Sequence, residues 1–414
     1  MRTIEILRIM LRAVIARTLL AGVLLTFVLM AVLGRQAAQV DAHRDFVRFH
    51  EAMAPEWNYF PTVNEMMSIV RTKARPDQIL VIVGGNSVLY GVGQPRDKVW
   101  TKALQQELGD KYAVVNLAFR GALITDGGAV AAEALRKEFP RQILIANAAP
   151  TQWPTADGSS VYKPAFWDAY YKGLLIDDPV RNAAIAAQHK AQPSWRAGVQ
   201  ELKARNQLDH WLYFQDFWND VALTKFNTTW APWMPGPTQF LQPRDSYPDR
   251  DTDRSLVSIS DRYPGVENEL NIVRGCSQYA YGYWVPGKPF VEKKDPATGK
   301  WTLYQGAWDG MIEGIKGAIP APLKKRTLIL MSRNSPYLVR MLTPDEQERD
   351  DLAYLHAVEL WKAGGYDSID YGKNFALDDY ADRTHLTYHG GEKLSNLVAT
   401  KVREMSQSLG YTAQ

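Results

Sequence analysis

Two short stretches of this 414-residue chain carry side chains that could share one reaction. Ser87 follows the run Ile79-Leu80-Val81-Ile82-Val83 and the pair Gly84-Gly85, and it precedes a segment that reads as helix. A serine at such a turn lies at the carboxyl edge of a parallel sheet, where ligand crevices form. The amides that open the following helix can hold an oxyanion. Serine is also a preferred helix N-cap, which is the structural alternative for the same position. Near the C-terminus, Asp382-Arg383-Thr384-His385 sets a carboxylate three residues ahead of an imidazole. A hydroxyl is a poor nucleophile until a base takes its proton, and the base works best when a carboxylate holds its other ring nitrogen. The chemistry these types suit is acyl transfer, with Ser87 as nucleophile, His385 as base and Asp382 as its orienter. His389 lacks an aspartate three residues back, and Asp378 and Asp379 are the other acidic candidates.

The elements that would position these residues alternate. The β-branched run at 79–83 suits a strand buried on both faces. A helix is predicted over 98–107, a strand over 113–117, a helix over 126–137 and a strand over 143–146. The strand pattern resumes at Thr327-Leu328-Ile329-Leu330-Met331. A helix over 343–363, opened by Pro344 and two acids, a strand over 368–370 and a helix over 391–408 complete the series. Strand and helix in alternation predict an α/β fold, a three-layer sandwich with a parallel, flavodoxin-like sheet. Its two parts, residues 77–150 and 321–414, are separated by an insertion over 151–320. Residues 36–76 read as a juxtamembrane connector.

Composition excludes several classes. With 46% hydrophobic and 22% charged residues the chain is too apolar to be disordered. Lys and Arg total 48 against 45 Asp and Glu, so there is no broad basic field for nucleic acid. The single cysteine, Cys276, rules out an intrachain disulfide and any Cys-based metal cage, and the seven histidines show no metal-ligand spacing. Neither metal nor cofactor is expected.

From Thr18 to Gly34 the chain is uncharged and mostly apolar, and residues 13–34 together reach the roughly 20 residues that cross a bilayer. Arg2, Arg8, Arg12 and Arg17 precede this stretch with only Glu5 opposing, whereas Arg35 and Arg44 behind it are mixed with Asp41 and Asp45. The positive-inside rule then predicts a single pass in the cytoplasmic membrane, residues 1–35 forming the cytoplasmic end and anchor and the remainder facing the periplasm. A cleaved signal peptide shares the basic start and apolar run, but Arg35 and Gln36 interrupt the small residues a cleavage site needs.

Taken together, these motifs resemble the SGNH/GDSL hydrolase superfamily. Its first block, a strand followed by Gly-Asp-Ser, is similar to Ile82-Val83-Gly84-Gly85-Asn86-Ser87, and its last, Asp-x-x-His-Leu-x-x-x-Gly, to the stretch from Asp382 to Gly390 or Gly391. The resemblance implies an oxyanion hole in which Gly121, within Val115-Asn116-Leu117-Ala118-Phe119-Arg120-Gly121, gives a backbone amide. Asn147, at the end of Ile143-Leu144-Ile145-Ala146-Asn147, would give a side-chain amide. Asn86 stands where the family has aspartate, and Ala146-Asn147-Ala148 replaces its Gly-x-Asn-Asp. The resemblance covers residues 77–150 and 325–410. The layout, with an N-terminal anchor, an early serine, an insertion and a late Asp-x-x-His, resembles membrane-anchored acyl-transfer proteins of cell-envelope polymers. Those are the DltD-like D-alanine transfer proteins of teichoic-acid systems and the SGNH proteins of polysaccharide O-acetylation. It implies acetyl transfer to, or removal from, an envelope polysaccharide, with a multispanning membrane acyltransferase as donor partner. A non-catalytic assembly or binding subunit of the same fold is the alternative, and Asn86 is the feature that favours it.

The insertion, which holds most of the chain's 13 tryptophans, has two readings. Trp211, Phe214 and Trp218 fall on one helical face and suit packing. Asn86, together with Trp230, Trp233 and Tyr247 in the Pro- and Tyr-rich loops, are the candidates for contacting a sugar acceptor, with Asp216, Asn219 and Asp220 as polar neighbours. An insertion lying over Ser87 would be a lid, and one on the far side a docking surface.

Overall fold

The computed structural model describes residues 2–37, 46–49, 61–119, 122, 124–148, 164–190, 212–217, 253–279, 291–303 and 317–411. In chain order the elements used below are α1 (Arg2–Ala37), α2 (Val63–Lys73), β1 (Ile79–Val83), α3 (Ser87–Tyr90), α4 (Trp100–Leu108), β2 (Tyr112–Asn116), α5 (Gly128–Ala134), β3 (Gln142–Ala148), α6 (Pro164–Tyr171), α7 (Pro179–Lys190), α8 (Val266–Tyr279), β4 (Val291–Lys294), β5 (Trp301–Leu303), β6 (Thr327–Met331), α9 (Pro344–Ala363), β7 (Asp367–Asp370) and α10 (Tyr388–Ser408).

Five strands form one parallel sheet in the order β2-β1-β3-β6-β7. All residues of β1, β3 and β6 are buried, which is why these strands read as continuous apolar stretches rather than as alternation; the polar Gln142, Asn147 and Thr327 at their ends are hydrogen-bonded within the protein. Right-handed crossovers then fix the layers. The chain moves outward from β1 to β2 and back across to β3, so α4 and α5 fall on opposite faces. α10 packs beside α4, where Ser395 Oγ donates to Trp100 O at 2.7 Å. α5 and α9 cover the other face, α2 lying against α5 and β2. The core between the layers holds Trp100, Trp361, Tyr371 and Tyr380, all below 2% exposed. The protein is thus an α/β sandwich with a flavodoxin-like strand order, and its topological switch point lies between β1 and β3.

Several helices begin away from their predicted starts. α5 starts at Gly128, which lies so near Gly84 that a Cβ at 128 would come within 2.5 Å of the Gly84 Cα. α10 starts at Tyr388 because Thr387 caps it, its Oγ1 accepting from Gly390 N. The predicted 343–363 helix forms with Thr343 as a capping-box residue paired to Glu346. β4 and β5 form a separate antiparallel pair. α1 is long and apolar enough to cross a membrane over Arg12–Gln36.

Candidate active site

The site is built at the switch point, from the turn after β1, the end of β3 and the loop before α10. β1 ends where Gly84 N donates to Ile145 O at 2.8 Å, and the chain then turns at Gly85 with φ of +88°. A side chain there would be strained, and its Cβ would run into Asn147 Oδ1. Asn86, not Ser87, is the N-cap of α3: its Oδ1 accepts from Val88 N at 3.0 Å. Ser87 is therefore the first residue of the helix, and its own N–H makes no hydrogen bond among the described residues.

The opposite wall is an irregular hairpin closed by the antiparallel bridge between Tyr380 and Leu386 and by Ala381 N donating to His385 O at 2.8 Å. Within it, Asp382 Oδ1 accepts from the backbone N–H groups of Thr384 and His385 at 3.0 and 2.9 Å. Asp382 Oδ2 accepts from His385 Nδ1 at 2.7 Å. That bond fixes the ring tautomer, so Nε2 is bare and accepts from Ser87 Oγ at 2.8 Å. Burial alone would push the Asp382 carboxyl up, but the facing imidazole and the backbone donors outweigh it and hold the group well below the usual carboxylate range. It stays an acceptor across neutral pH. Serine, imidazole and carboxylate from two ends of the sequence thus form one continuous hydrogen-bonded array.

Asn147 joins the two strands beneath the serine. Its Oδ1 accepts from Asn86 N at 3.0 Å, and its Nδ2 donates to Asn86 Oδ1 at 2.8 Å. The second Nδ2 proton is directed to Ser332 Oγ at the long distance of 3.4 Å. Asn86, buried at 8% exposure, spends its side-chain oxygen on the α3 cap and on Asn147. Asp379 is committed elsewhere, to Lys393 at 2.7 Å and to Ala376 N, and Asp378 lies 3.8 Å from Arg262. His389 is exposed and stacks on Tyr388. Gly121, Trp230, Trp233 and Tyr247 lie outside the described residues, as do Trp211, Trp218, Asn219 and Asp220. Asp216 is buried and bonded to Thr62 Oγ1 at 2.5 Å, so it is not an exposed sugar contact.

A set of residues that the motifs did not reveal secures the histidine loop, and it comes from the insertion. Arg262, 4% exposed, donates to Tyr380 O at the base of the hairpin, at 3.0 Å, and to Val257 O and Ser255 O at 2.8 and 2.9 Å. Tyr263 OH donates to Asp382 O at 3.1 Å and lies 2.5 Å from Ser335 Oγ; burial pushes its phenol up to about 12, so it remains a neutral donor. Arg383 pairs with Glu269 on α8 at 2.9 Å. The same insertion segment reaches the loop beyond Ser87, where Arg254 N donates to Gly93 O. From the core side, Gln94 Nε2 donates to Leu386 O at 3.3 Å. Residues 253–263 therefore bridge the serine and histidine loops at their outer edge. No sequence signal marks these residues, because their partners are largely backbone groups.

Fold and site define a class: an α/β protein whose switch point carries a hydrogen-bonded serine, histidine and aspartate. No protein-family model matches the chain, and no curated protein matches it. Among solved structures the chain is similar to Est24, a carbohydrate acetylesterase from Sinorhizobium meliloti, at 12% identity and a TM-score of 0.30 over 79% of this chain and 100% of that one. A second solved structure is similar at 12% identity and a TM-score of 0.29, over 79% of this chain and 98% of the other. Likeness at this level carries no activity across, and the chemical reading rests on the array itself.

Proposed function

We propose that the protein is an SGNH-type serine esterase or O-acyltransferase, anchored in the cytoplasmic membrane with its catalytic domain in the periplasm. It moves or removes an acetyl group on a cell-envelope polysaccharide. The observation that carries the reading is the unbroken line Ser87 Oγ, His385 Nε2, His385 Nδ1, Asp382 Oδ2, with steps of 2.8 and 2.7 Å at its two hydrogen bonds.

In this reaction Ser87 Oγ attacks the acyl carbonyl carbon while its proton passes to His385 Nε2. Asp382 remains ionised and stabilises the imidazolium. The negative charge on the carbonyl oxygen is met by the open N–H of Ser87 and the loosely held Nδ2 proton of Asn147, with the Gly121 amide as the further donor that the SGNH resemblance implies; one such donor is worth about 2.7 to 4 kcal/mol in the transition state. His385 returns its proton to the leaving oxygen, leaving acyl-Ser87. A second hydroxyl, of water or of a sugar, then gives its proton to His385 and takes the acyl group, and His385 returns that proton to Ser87 Oγ as the acyl–Oγ bond breaks. Removal and transfer differ only in that last acceptor, and a multispanning acyltransferase would supply the donor in the transfer case.

The test is turnover of p-nitrophenyl acetate by the detergent-solubilised full chain, with and without an oligosaccharide acceptor. Acetyl release that Ser87→Ala abolishes supports the enzyme, and acetylated oligosaccharide in the products identifies transfer. A folded protein with no turnover under either condition would support the non-catalytic alternative.

A further inference from the structure

Over its described side chains, α1 is uncovered along the apolar stretch but not at its end. Residues 12–29 are exposed, Met30, Ala31 and Leu33 are half-buried, and Gly34 is buried. Among the described residues, the segment 212–217 packs against this end of the helix. A Cβ at Gly34 would run into the carbonyl oxygen of Tyr213 and come within 3.0 Å of Phe217 Cβ, so the missing side chain is what lets the two backbones approach. Farther back along the helix, the ring of Phe214 meets that of Phe27 edge-on, with centroids 6.0 Å apart. The segment's carboxylate faces the other way: Asp216 is buried against Thr62, the N-cap of α2. One side of the segment is therefore fixed to the α/β sandwich and the other to the helix.

The position of Phe27 decides where this contact lies. If the bilayer ended before Phe27, the stretch from Arg12 would supply about 22 Å of helix against a hydrocarbon thickness of about 30 Å. Val28, Leu29 and Val32, each more than half exposed, would then stand in water. Only a bilayer that extends past Phe27 toward Gly34 accommodates both the length and these side chains. Phe214, in ring contact with Phe27, then lies at the same depth.

We propose that residues 212–217 form a second membrane contact, an aromatic wedge seated in the outer leaflet against α1, with the bilayer's acyl chains and headgroup boundary as its partner. The proposal rests on the reading of α1 as a membrane span. The local sequence Trp211-Leu212-Tyr213-Phe214-Gln215-Asp216-Phe217-Trp218 has the aromatic composition of an interfacial belt. Its consequence is that the catalytic domain is not carried on a free tether. It is held at a fixed height and orientation, with the wedge and Thr62 linking the span to the sandwich.

The test uses the full chain in a Cys276→Ser background, reconstituted in phosphatidylcholine vesicles, with a nitrobenzoxadiazole probe on one introduced cysteine. The positions are Leu212→Cys, Phe217→Cys, Val28→Cys within the span and Leu256→Cys on the catalytic domain, where the side chain is 85% exposed. Doxyl-labelled lipid is expected to quench the probes at 212 or 217 at least half as much as at 28, and the probe at 256 not at all. Quenching at 28 with none at 212 and 217 overturns the wedge while leaving the span intact. No quenching at 28 overturns the span and the wedge with it.

Discussion

Replacing Asp382 by asparagine isolates the orienting role of the carboxylate. Asp382 Oδ1 already accepts two backbone N–H groups, so the amide oxygen of the introduced asparagine must stay there; the opposite rotamer would set an NH₂ against two donors. Its NH₂ then faces His385 Nδ1, where Oδ2 now accepts at 2.7 Å. Nδ1 must become the acceptor, which moves the ring proton to Nε2 and points it at Ser87 Oγ. The base is lost although no atom has moved. The same substitution in the serine-protease triad lowers kcat about 10⁴-fold, which corresponds to about 5.4 kcal/mol. For Asp382→Asn the expected result is a fall of about 10³ to 10⁴ in kcat on p-nitrophenyl acetate, with KM within about threefold and an unchanged melting transition. Activity within tenfold of the parent, alongside an inactive Ser87→Ala, would mean that the serine is activated by something other than this histidine tautomer.

Other consequences are as direct. Arg262→Met leaves three carbonyl acceptors without their donor and is expected to cost about 3 kcal/mol or more, and to slow Ser87 acylation at least tenfold by loosening the hairpin at Tyr380; stopped-flow acylation kinetics and urea unfolding measure the two effects. Gly85→Ala combines a left-handed backbone penalty of about 1–2 kcal/mol with a clash at Asn147 Oδ1, so urea unfolding should show a larger loss than the backbone penalty alone. Burial raises the Asp350 carboxyl to about 7 despite Arg333 nearby, so the folded protein binds a proton that the unfolded chain has released. Stability from this group is therefore present at acid pH and lost as pH rises through about 4 to 7, by about 4 kcal/mol at most. Asp350→Asn should therefore make the urea midpoint fall less between pH 5 and pH 8 than it does in the parent; Asp216, raised by burial to about 6, keeps its own share of the slope.

The parts of the fold legible in the sequence are those where local chemistry and tertiary role coincide. β1 and β6 have the predicted limits because strands buried on both faces are apolar nearly throughout, the one polar residue, Thr327, bonding to Leu323 O. Ser87 and His385 were legible because each sits in a short motif whose neighbours serve the turn: Gly85 at positive φ, and Gly390 packed so closely on Asp379 O that a side chain has no space. Boundaries shifted where a distant contact sets them, as at Gly128 against Gly84. The exchange of hydrogen bonds between Asn86 and Asn147 was illegible because it depends on the register of β1 beside β3. Arg262 and Tyr263 left no periodic trace, since their partners are backbone carbonyls, which every residue carries.

The central claim is that Ser87 is an activated nucleophile, and covalent labelling measures that without knowledge of the acyl group or acceptor. The detergent-solubilised full chain is treated with a fluorophosphonate and read by intact mass beside Ser87→Ala and His385→Ala. One adduct is expected on the parent, none on Ser87→Ala, and labelling at least 10²-fold slower on His385→Ala. A folded parent that takes up no label, or equal labelling of parent and His385→Ala, would contradict the claim.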